Sequence, residues 1–250
     1  MARSFRLTLL STILLILIWA GIAMVVHSRY LPSPLDVGAA FINELSSGTL
    51  PFHLGITFLR VISAFIIALV VGTALGIALG SSPKANLLFD PWLIFALNLP
   101  ALVIIVFCYL WFGLTEAAAI TAVALNKIPN TAVTMREGRK ALDPMFDEVA
   151  QIYHYAGWKK FRHFIMPQLE PYLAVSIRNG LALIWKIVLV VELLGRSNGV
   201  GFQINIFFSQ FDLTRILVYT LSFMAIIGLI EWFVIKPWEN QTRVWRGDPS

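Results

Sequence analysis

The chain has 250 residues, of which 58% are hydrophobic and only 13% are charged, and its mean hydropathy is +0.77. A soluble globular protein needs a polar surface that this composition cannot provide, so the sequence predicts an all-α, polytopic integral membrane protein. The net charge of +5 reflects membrane orientation, described below, and no nucleic-acid partner is expected.

Six apolar segments are long enough to cross a bilayer, whose core of about 30 Å needs roughly 20 helical residues. In chain order they are 5–26, 55–80, 87–111, 115–137, 170–194 and 213–235. Little sequence remains for a soluble domain, so residues 1–250 are predicted to form one transmembrane domain, with 5–26 as an extra helix before the core helices of 55–235. The first segment follows two arginines as a signal peptide does, but its 22 residues and missing cleavage site indicate a retained helix.

The distribution of Lys and Arg predicts the orientation, because cytoplasmic loops of membrane proteins are enriched in these residues. With a cytoplasmic N-terminus, twelve fall on the inner side and three, Arg29, Arg196 and Arg215, on the outer side. The inner twelve are Arg3, Arg6, Lys84, Arg136, Arg139, Lys140, Lys159, Lys160, Arg162, Lys236, Arg243 and Arg246. Both termini are therefore predicted to be cytoplasmic.

The second span carries Gly72, Gly76 and Gly80, a ridge of small residues at four-residue spacing. In lipid, where apolar surface alone does not drive helices together, such a ridge lets a second helix approach closely. We interpret it as a packing surface.

Two prolines are predicted to break spans beside polar residues. Pro100 follows Asn98 in the third span, and Pro129 lies close to Asn126 in the fourth. A proline removes a helical hydrogen bond, which is tolerated in a membrane only beside protein or water. Two interpretations remain open, a translocation path and a pair of kinked packing helices.

Lys127 and Lys186 lie well inside predicted spans, where an unpaired charge is expensive and indicates a functional site. Glu192 is six residues after Lys186 and therefore roughly 120° around the helix, so the two should not pair. We predict that these lysines give the path a positive potential that favours an anionic substrate. The alternative is that they extend to the interface or pair with Glu116 or Glu192 of another helix. The predicted path residues are Asn98, Asn126, Lys127, Trp185, Lys186 and Glu192.

Residues 142–167 are charged and amphipathic although they lie between apolar spans, so this loop must function in water. An Asp-Pro pair at 143–144 predicts a helix start, and Gly157 can end that helix in a left-handed conformation. A second short helix, beginning with Trp158, is predicted to end at Pro167. Exposed aromatic residues on short helices are typical of docking to a partner protein, but also of a helix pair on anionic lipid, and both interpretations stay open.

The loop resembles the EAA loop of permease subunits in ATP-binding cassette (ABC) importers. Glu148-Val149-Ala150 corresponds to its Glu-Ala-Ala element, and Met166-Pro167 follows at the family spacing. The motif glycine of the family falls on His154, with Gly157 three residues later, so the turn is expected to be shifted. Other motifs resemble the branch that imports nitrate, bicarbonate, taurine and alkanesulfonates: Leu31-Pro32-Ser33-Pro34, Thr57 to Arg60, Trp111-Phe112-Gly113, Trp185 to Glu192 and Gly199-Val200-Gly201.

The resemblance implies a type I importer of the bacterial inner membrane that moves a small anionic solute by alternating access. Its implied partners are a second permease copy in a homodimer, cytoplasmic ABC ATPase subunits, an extracytoplasmic substrate-binding protein and membrane lipid. The chain contains no Walker A motif, so it is expected to bind no cofactor itself and to leave ATP and Mg²⁺ to the ATPase. The residues implied to couple to the ATPase are Asp147, Glu148, Ala150, Tyr153, His154, Gly157, Trp158 and Pro167.

Two other functions are weighed against this one. Residues 195–199 match the G-x-S-x-G signature of serine hydrolases, with Ser197 as nucleophile, but no strand is predicted before it and we interpret the match as a turn. An ATP-independent channel remains possible if the inner loop binds lipid. No histidine pair has the spacing of a zinc site, so no metal is expected.

Overall fold

The computed structural model describes residues 2–26, 28, 30–143, 145, 149, 152–155 and 157–235, with side chains omitted at 2–9 and 234–235. Within these residues all regular structure is helical, which confirms the all-α prediction. The helices are α1 Ala2–Val26, α2 Pro34–Ser46, α3 Thr49–Ser81, α4 Pro83–Asn98, α5 Ala101–Phe112, α6 Glu116–Lys140, α7 Gly157–Gly195, α8 Val200–Ser209 and α9 Leu213–Phe233.

Three described helices, α3, α7 and α9, are long and apolar enough to cross a membrane, and the bent pair α4 and α5 makes a fourth if it counts as one span. The predicted number of six spans is therefore not confirmed. Helix α1 contains a shorter apolar stretch, Leu10–Val26. Helix α6 is interrupted by polar residues, but it packs between α3, α5 and α7 and so does not need an apolar surface for lipid.

Helices α3 and α6 run parallel and pack along the predicted glycine ridge. A Cβ atom at Gly72 would lie 2.6 Å from the Cβ of Thr131, and one at Gly76 would lie 2.5 Å from the carbonyl oxygen of Ala132. One at Gly80 would lie 2.7 Å from the Cβ of Arg139. These separations are far below van der Waals contact, so the ridge brings the two backbones together, as predicted.

The two prolines predicted to break helices behave differently. At Leu99 and Pro100 the chain bends by 95° between α4 and α5, as predicted. Pro129 is buried inside α6, which continues as one helix to Lys140, so the predicted second break is wrong. Packing on α3 at Thr131 and on neighbouring helices keeps α6 continuous despite the lost hydrogen bond.

The prediction that the loop helix ends at Pro167 is also wrong. Helix α7 begins at Gly157 and runs as one helix of 39 residues to Gly195. Residues Phe161–Ile165 form a π-helical turn directly before the proline. A wider turn changes the local hydrogen-bond pattern, which allows the helix to pass a residue without an N–H group.

The motif Leu31 to Pro34 acts as the start of α2. Ser33 is the N-cap: its hydroxyl accepts a hydrogen bond from the Asp36 amide at 3.2 Å, and the Asp36 carboxylate accepts one from the Ser33 amide at 3.2 Å. Pro34 occupies the first turn, where its missing N–H group costs nothing. The other end of α2 is held to α9 by Glu44, which pairs with Arg215 at 3.1 Å.

We predict that Gly76→Ala destabilises the protein. The new methyl group would collide with the α6 backbone and the Cβ of Met135, and overpacking of this kind costs about 1–3 kcal/mol. Gly55→Ala is the matched control on the same helix, because the space beside Gly55 is open. The melting temperature of the detergent-purified protein should fall for Gly76→Ala only, and equal melting temperatures would contradict the packing of α3 on α6.

Candidate functional site

A buried arginine joins the starts of α3 and α6 to the end of α7. The Arg60 guanidinium donates to the Glu116 carboxylate, with Nε–Oε2 at 2.8 Å and Nη2–Oε1 at 2.5 Å. Its Nη1 donates to Glu192 Oε1 at 2.7 Å and to the Asn198 carbonyl oxygen at 2.8 Å, and Nη2 also donates to the Asn198 side chain. Arg60 is 3% exposed and Glu192 0% exposed. We call Arg60, Glu116, Glu192 and Asn198 the arginine network.

The Glu192 carboxylate also binds the beginning of α8. Glu192 Oε2 accepts hydrogen bonds from the Gly201 amide and the Thr57 hydroxyl, both at 2.9 Å. The Thr57 hydroxyl oxygen accepts from the Val200 amide at 2.8 Å. The first amides of a helix lack partners within it and favour negative charge, so Glu192 and Thr57 together cap α8.

His53 provides a third hydrogen-bond acceptor for the backbone amides at the start of α8. Its Nδ1 accepts a hydrogen bond from the Gly199 amide at 2.9 Å, and its Nε2 lies 2.6 Å from the Gln203 side-chain nitrogen. A ring nitrogen that accepts a hydrogen bond carries no proton, so this geometry requires a neutral imidazole. His53 is 7% exposed.

The network explains the Gly199-Val200-Gly201 motif. Gly199 has a φ of 108°, which residues with a side chain rarely adopt, and a Cβ there would overlap the Glu192 carboxylate. A Cβ at Gly201 would overlap the carbonyl oxygen of Leu189. Both glycines are therefore needed for the close approach of α8 to α7.

The structure gives no support to the serine hydrolase alternative. Ser197 is exposed in the turn after α7, and none of its described hydrogen bonds joins it to a histidine. Both nitrogens of His53, the histidine near this turn, face Gly199 and Gln203. The turn lies after a helix instead of a strand, so the match to G-x-S-x-G has no nucleophile elbow.

Lys127 is enclosed by α3, α6 and α7. It is 3% exposed, and a Cβ at Gly180 would lie 3.1 Å from its Cε and 3.1 Å from Phe65. Within the described part of the chain it makes neither an ion pair nor a hydrogen bond. The predicted alternative partners, Glu116 and Glu192, are occupied by Arg60.

Lys186 lies on a different face of α7, where it lines a cavity of about 560 Å³ between α7 and α9 together with Trp185. Gly180, the neighbour of Lys127, precedes it by six residues and so faces roughly 120° away. The structure therefore does not bring the two lysines into one site. Glu192 belongs to the arginine network and does not line this cavity.

The two predicted asparagines do not lie at the cavity either. Asn98 is exposed at the bend before α5, and its side chain donates to the carbonyl oxygen of Ile94 at 2.8 Å. Asn126 is half-buried on α6 beside Lys127. The path lined by all six predicted residues stays a prediction, because the structure places them in four separate positions: the bend before α5, the inner face of α6, the cavity and the arginine network.

The inner loop exposes its aromatic side chains. Tyr153 and Trp158 are 69% and 70% exposed, and Pro167 at the start of the long part of α7 is exposed too. His154 and Gly157 both have a φ of 54°, in the left-handed region. The other predicted coupling residues lie outside the described residues: Asp147, Glu148 and Ala150.

Sequence reasoning missed Arg60 as a site residue, although Arg60 stood in a quoted motif. The signal that identifies it is a charge inside a predicted span, which needs a partner at the same depth. Glu116 and Glu192 lie near the same end of their own spans and are those partners. His53 and Asn198 gave no comparable signal.

Comparison with known proteins places the chain in a family. Residues 68–234 match the model of the binding-protein-dependent transport system inner membrane component. The chain belongs to this family of membrane permeases. The resemblance of the inner loop and its flanking motifs to permeases of this kind is thereby confirmed.

Relatives and a solved structure agree with this assignment. The chain is 28% identical to the putative aliphatic sulfonates transport permease SsuC of Bacillus subtilis, over 95% of this chain and 87% of the relative. It is 30% identical to SsuC of Escherichia coli, over 80% and 76%, and 22% identical to the taurine transport permease TauC of Escherichia coli, over 99% and 92%. The crystal structure of an amino acid ABC transporter with histidines shares the fold, with a TM-score of 0.55, 20% identity and coverage of 78% and 98%.

We predict that Arg60→Met strongly destabilises the permease. It would leave Glu192 buried without a counter-charge, a loss of about 3–5 kcal/mol in buried ion pairs. The double variant Arg60→Met with Glu192→Gln should recover part of the loss, because the amide is neutral and can still accept from Thr57 or Gly201. Folded yield and melting temperature in detergent measure both effects. A double variant as unstable as Arg60→Met would contradict the charge argument.

The backbone at His154 generates a second prediction. His154→Gly should leave loop function intact, since glycine adopts a φ of 54° without strain, whereas His154→Val should impair it because a β-branched residue rarely does. Solute uptake by cells that carry each variant, normalised to the amount of permease in the membrane, is the measurement. Equal uptake by the glycine and valine variants would show that this backbone conformation is not required.

Proposed function

We propose that this permease is the membrane-spanning subunit of an ATP-driven importer for a small anionic solute of the sulfonate, taurine or nitrate type. Family membership supports transport with a binding protein. The names of the relatives, which include permeases for aliphatic sulfonates, taurine and nitrate, support the substrate type. The observation that carries the ATP-driven part is the inner loop with its exposed Tyr153 and Trp158.

Large exposed aromatic residues on a charged loop between apolar helices are suited to a pocket on another protein. Trp158 stacks on Phe161, with ring centroids 5.4 Å apart, so the pair forms a rigid apolar knob. Lys159 and Arg162 surround this knob with positive charge. Aromatic anchors with a polar rim are the usual energetic centre of protein interfaces. The proposed partner is a cytoplasmic ABC ATPase. That subunit, and not this chain, would bind ATP and Mg²⁺.

Helix α7 provides the mechanical link for alternating access. It begins at Gly157 in the loop and continues for 39 residues, about 58 Å at 1.5 Å per residue. Its far end is held by Glu192 in the arginine network, and its middle lines the cavity with Lys186. Movement of the loop on closure of the ATPases would therefore displace the cavity wall and tilt α7 about its fixed end.

The exposure of Lys186 supports a second copy of the chain in the assembly. A lysine midway along a membrane-spanning helix is costly when it faces lipid. Two permeases that place their α7 helices around a common aqueous path would hydrate this lysine in each copy. The homodimer, an extracytoplasmic binding protein, and cytoplasmic termini and inner loop complete the proposed arrangement.

We predict that Trp158→Ala reduces the amount of ATPase that copurifies with the permease at least tenfold, as loss of an interface anchor of about 2 kcal/mol or more would do. Trp111→Ala is the matched control, because Trp111 is 71% exposed, as Trp158 is at 70%, but lies at the other end of the bundle. The measurement is quantitative mass spectrometry of the tagged permease purified from native membranes in mild detergent.

An equal amount of ATPase with both tryptophan variants would reject the loop as the coupling site. A wild-type permease that purifies without any ATPase would instead favour the ATP-independent channel, with the loop lying on lipid.

A further inference from the structure

The cavity between α7 and α9 has walls of two chemical kinds. Its apolar wall includes Ala182, Met224 and Ile227. Behind this wall the rings of Trp185 and Phe223, each 6% exposed, pack at a centroid distance of 6.0 Å. Lys186 lies directly beside Trp185 on the rim. A volume of about 560 Å³ lies within the range of organic ligand sites, roughly 300–1,000 Å³.

The positive charge of the cavity is concentrated at Lys186. Helices α7 and α9 run in opposite directions, so residues before Trp185 lie level with residues after Phe223. Arg178 and Glu231 are therefore at the same end of the cavity, where they contribute opposite charges. In the described part of the chain Lys186 has no acidic partner within ion-pair distance, so its charge is available to a ligand.

These walls fit an amphiphilic anion better than an inorganic one. An oxyanion as small as nitrate would contact Lys186 but leave the apolar surface of Ala182, Met224 and Ile227 uncovered. An alkyl tail would cover that surface, and each methylene group buried there strengthens binding roughly fourfold. The cavity volume accommodates such a tail together with a charged head group.

We propose that this cavity is a substrate subsite within the permease, which binds organic anions with a short aliphatic tail and discriminates among them by tail length. Lys186 contacts the head group, and Met224 with Ile227 contacts the tail. The proposal rests on the proposed function and adds that the permease itself, beside a binding protein, contributes to specificity. A path that recognised charge alone would not need the apolar wall.

The test measures direct binding to the purified full-length permease, with its copurified partner but without binding protein. The probes are ethanesulfonate, butanesulfonate, hexanesulfonate and nitrate, with binding followed by calorimetry. We expect affinity to rise roughly fourfold per methylene group from ethanesulfonate to hexanesulfonate, and nitrate to bind weakest. Similar affinities for nitrate and hexanesulfonate, or no binding of any sulfonate, would overturn the proposal.

Variants separate the head-group and tail contacts. Lys186→Met should weaken every sulfonate about tenfold or more, and Lys186→Arg should restore binding. Ala182→Phe, which adds a ring to the cavity wall, should abolish the dependence on tail length, whereas Val175→Phe on an exposed part of the same helix should not. Unchanged affinities in Lys186→Met and Ala182→Phe would overturn the subsite.

A neutral probe and the copurified ATPase complete the design. Hexanol that binds the wild type as tightly as hexanesulfonate would show a lipid-facing groove and overturn the anion site. Copurification of an ATPase is scored separately on the same samples. Sulfonate binding without an ATPase would refute the proposed ATP-driven function and retain the subsite, and the reverse result would refute the subsite alone.

Discussion

The buried charge of Arg60 must be neutralised, and this requirement ties together three helices of the permease. A guanidinium buried among apolar helices is tolerated only if carboxylates reach it, and here Glu116 and Glu192 arrive from two other helices. These contacts fix how far α3, α6 and α7 slide along one another. Glu192 also accepts a hydrogen bond from the Gly201 amide, so the arginine network holds the start of α8. Helix α8 packs against α9 and so positions it. The cavity between α7 and α9 is a consequence of this anchoring.

Helix α7 connects this fixed end to the exposed aromatic surface that we propose as the docking site. Its first turn carries Trp158 in an exposed loop, its middle carries Lys186, and its last turns carry Glu192. A single helix that joins a docking surface, a charged cavity and a rigid anchor is suited to transmit force from one end of a membrane protein to the substrate. An amino acid transporter shares this fold at 20% identity. A fold alone does not determine function, so the proposed anion specificity rests on side chains and not on the helical frame.

Sequence patterns predicted the features that depend on residues close to one another along the chain. Composition gave the membrane class, and the four-residue spacing of Gly76 and its neighbours gave the α3 packing surface. Sequence patterns failed where residues distant in the chain decide the structure. Pro129 does not break α6, because other helices pack against it on several sides. Arg60 was missed because its carboxylate partners are 56 and 132 residues away in sequence. The two lysines looked equivalent along the chain, yet helix geometry places Lys127 in the interior and Lys186 at a cavity.

In the proposed function, this permease couples ATP hydrolysis on a partner subunit to the uptake of an organic anion. The most direct test is reconstitution of the permease with its ATPase in liposomes, with binding protein and labelled hexanesulfonate outside and ATP within reach of the ATPase. The account predicts that the labelled sulfonate accumulates against its gradient only when ATP is present and hydrolysed. Equilibration of the label to equal concentrations on both sides, at the same rate with and without ATP, would contradict it.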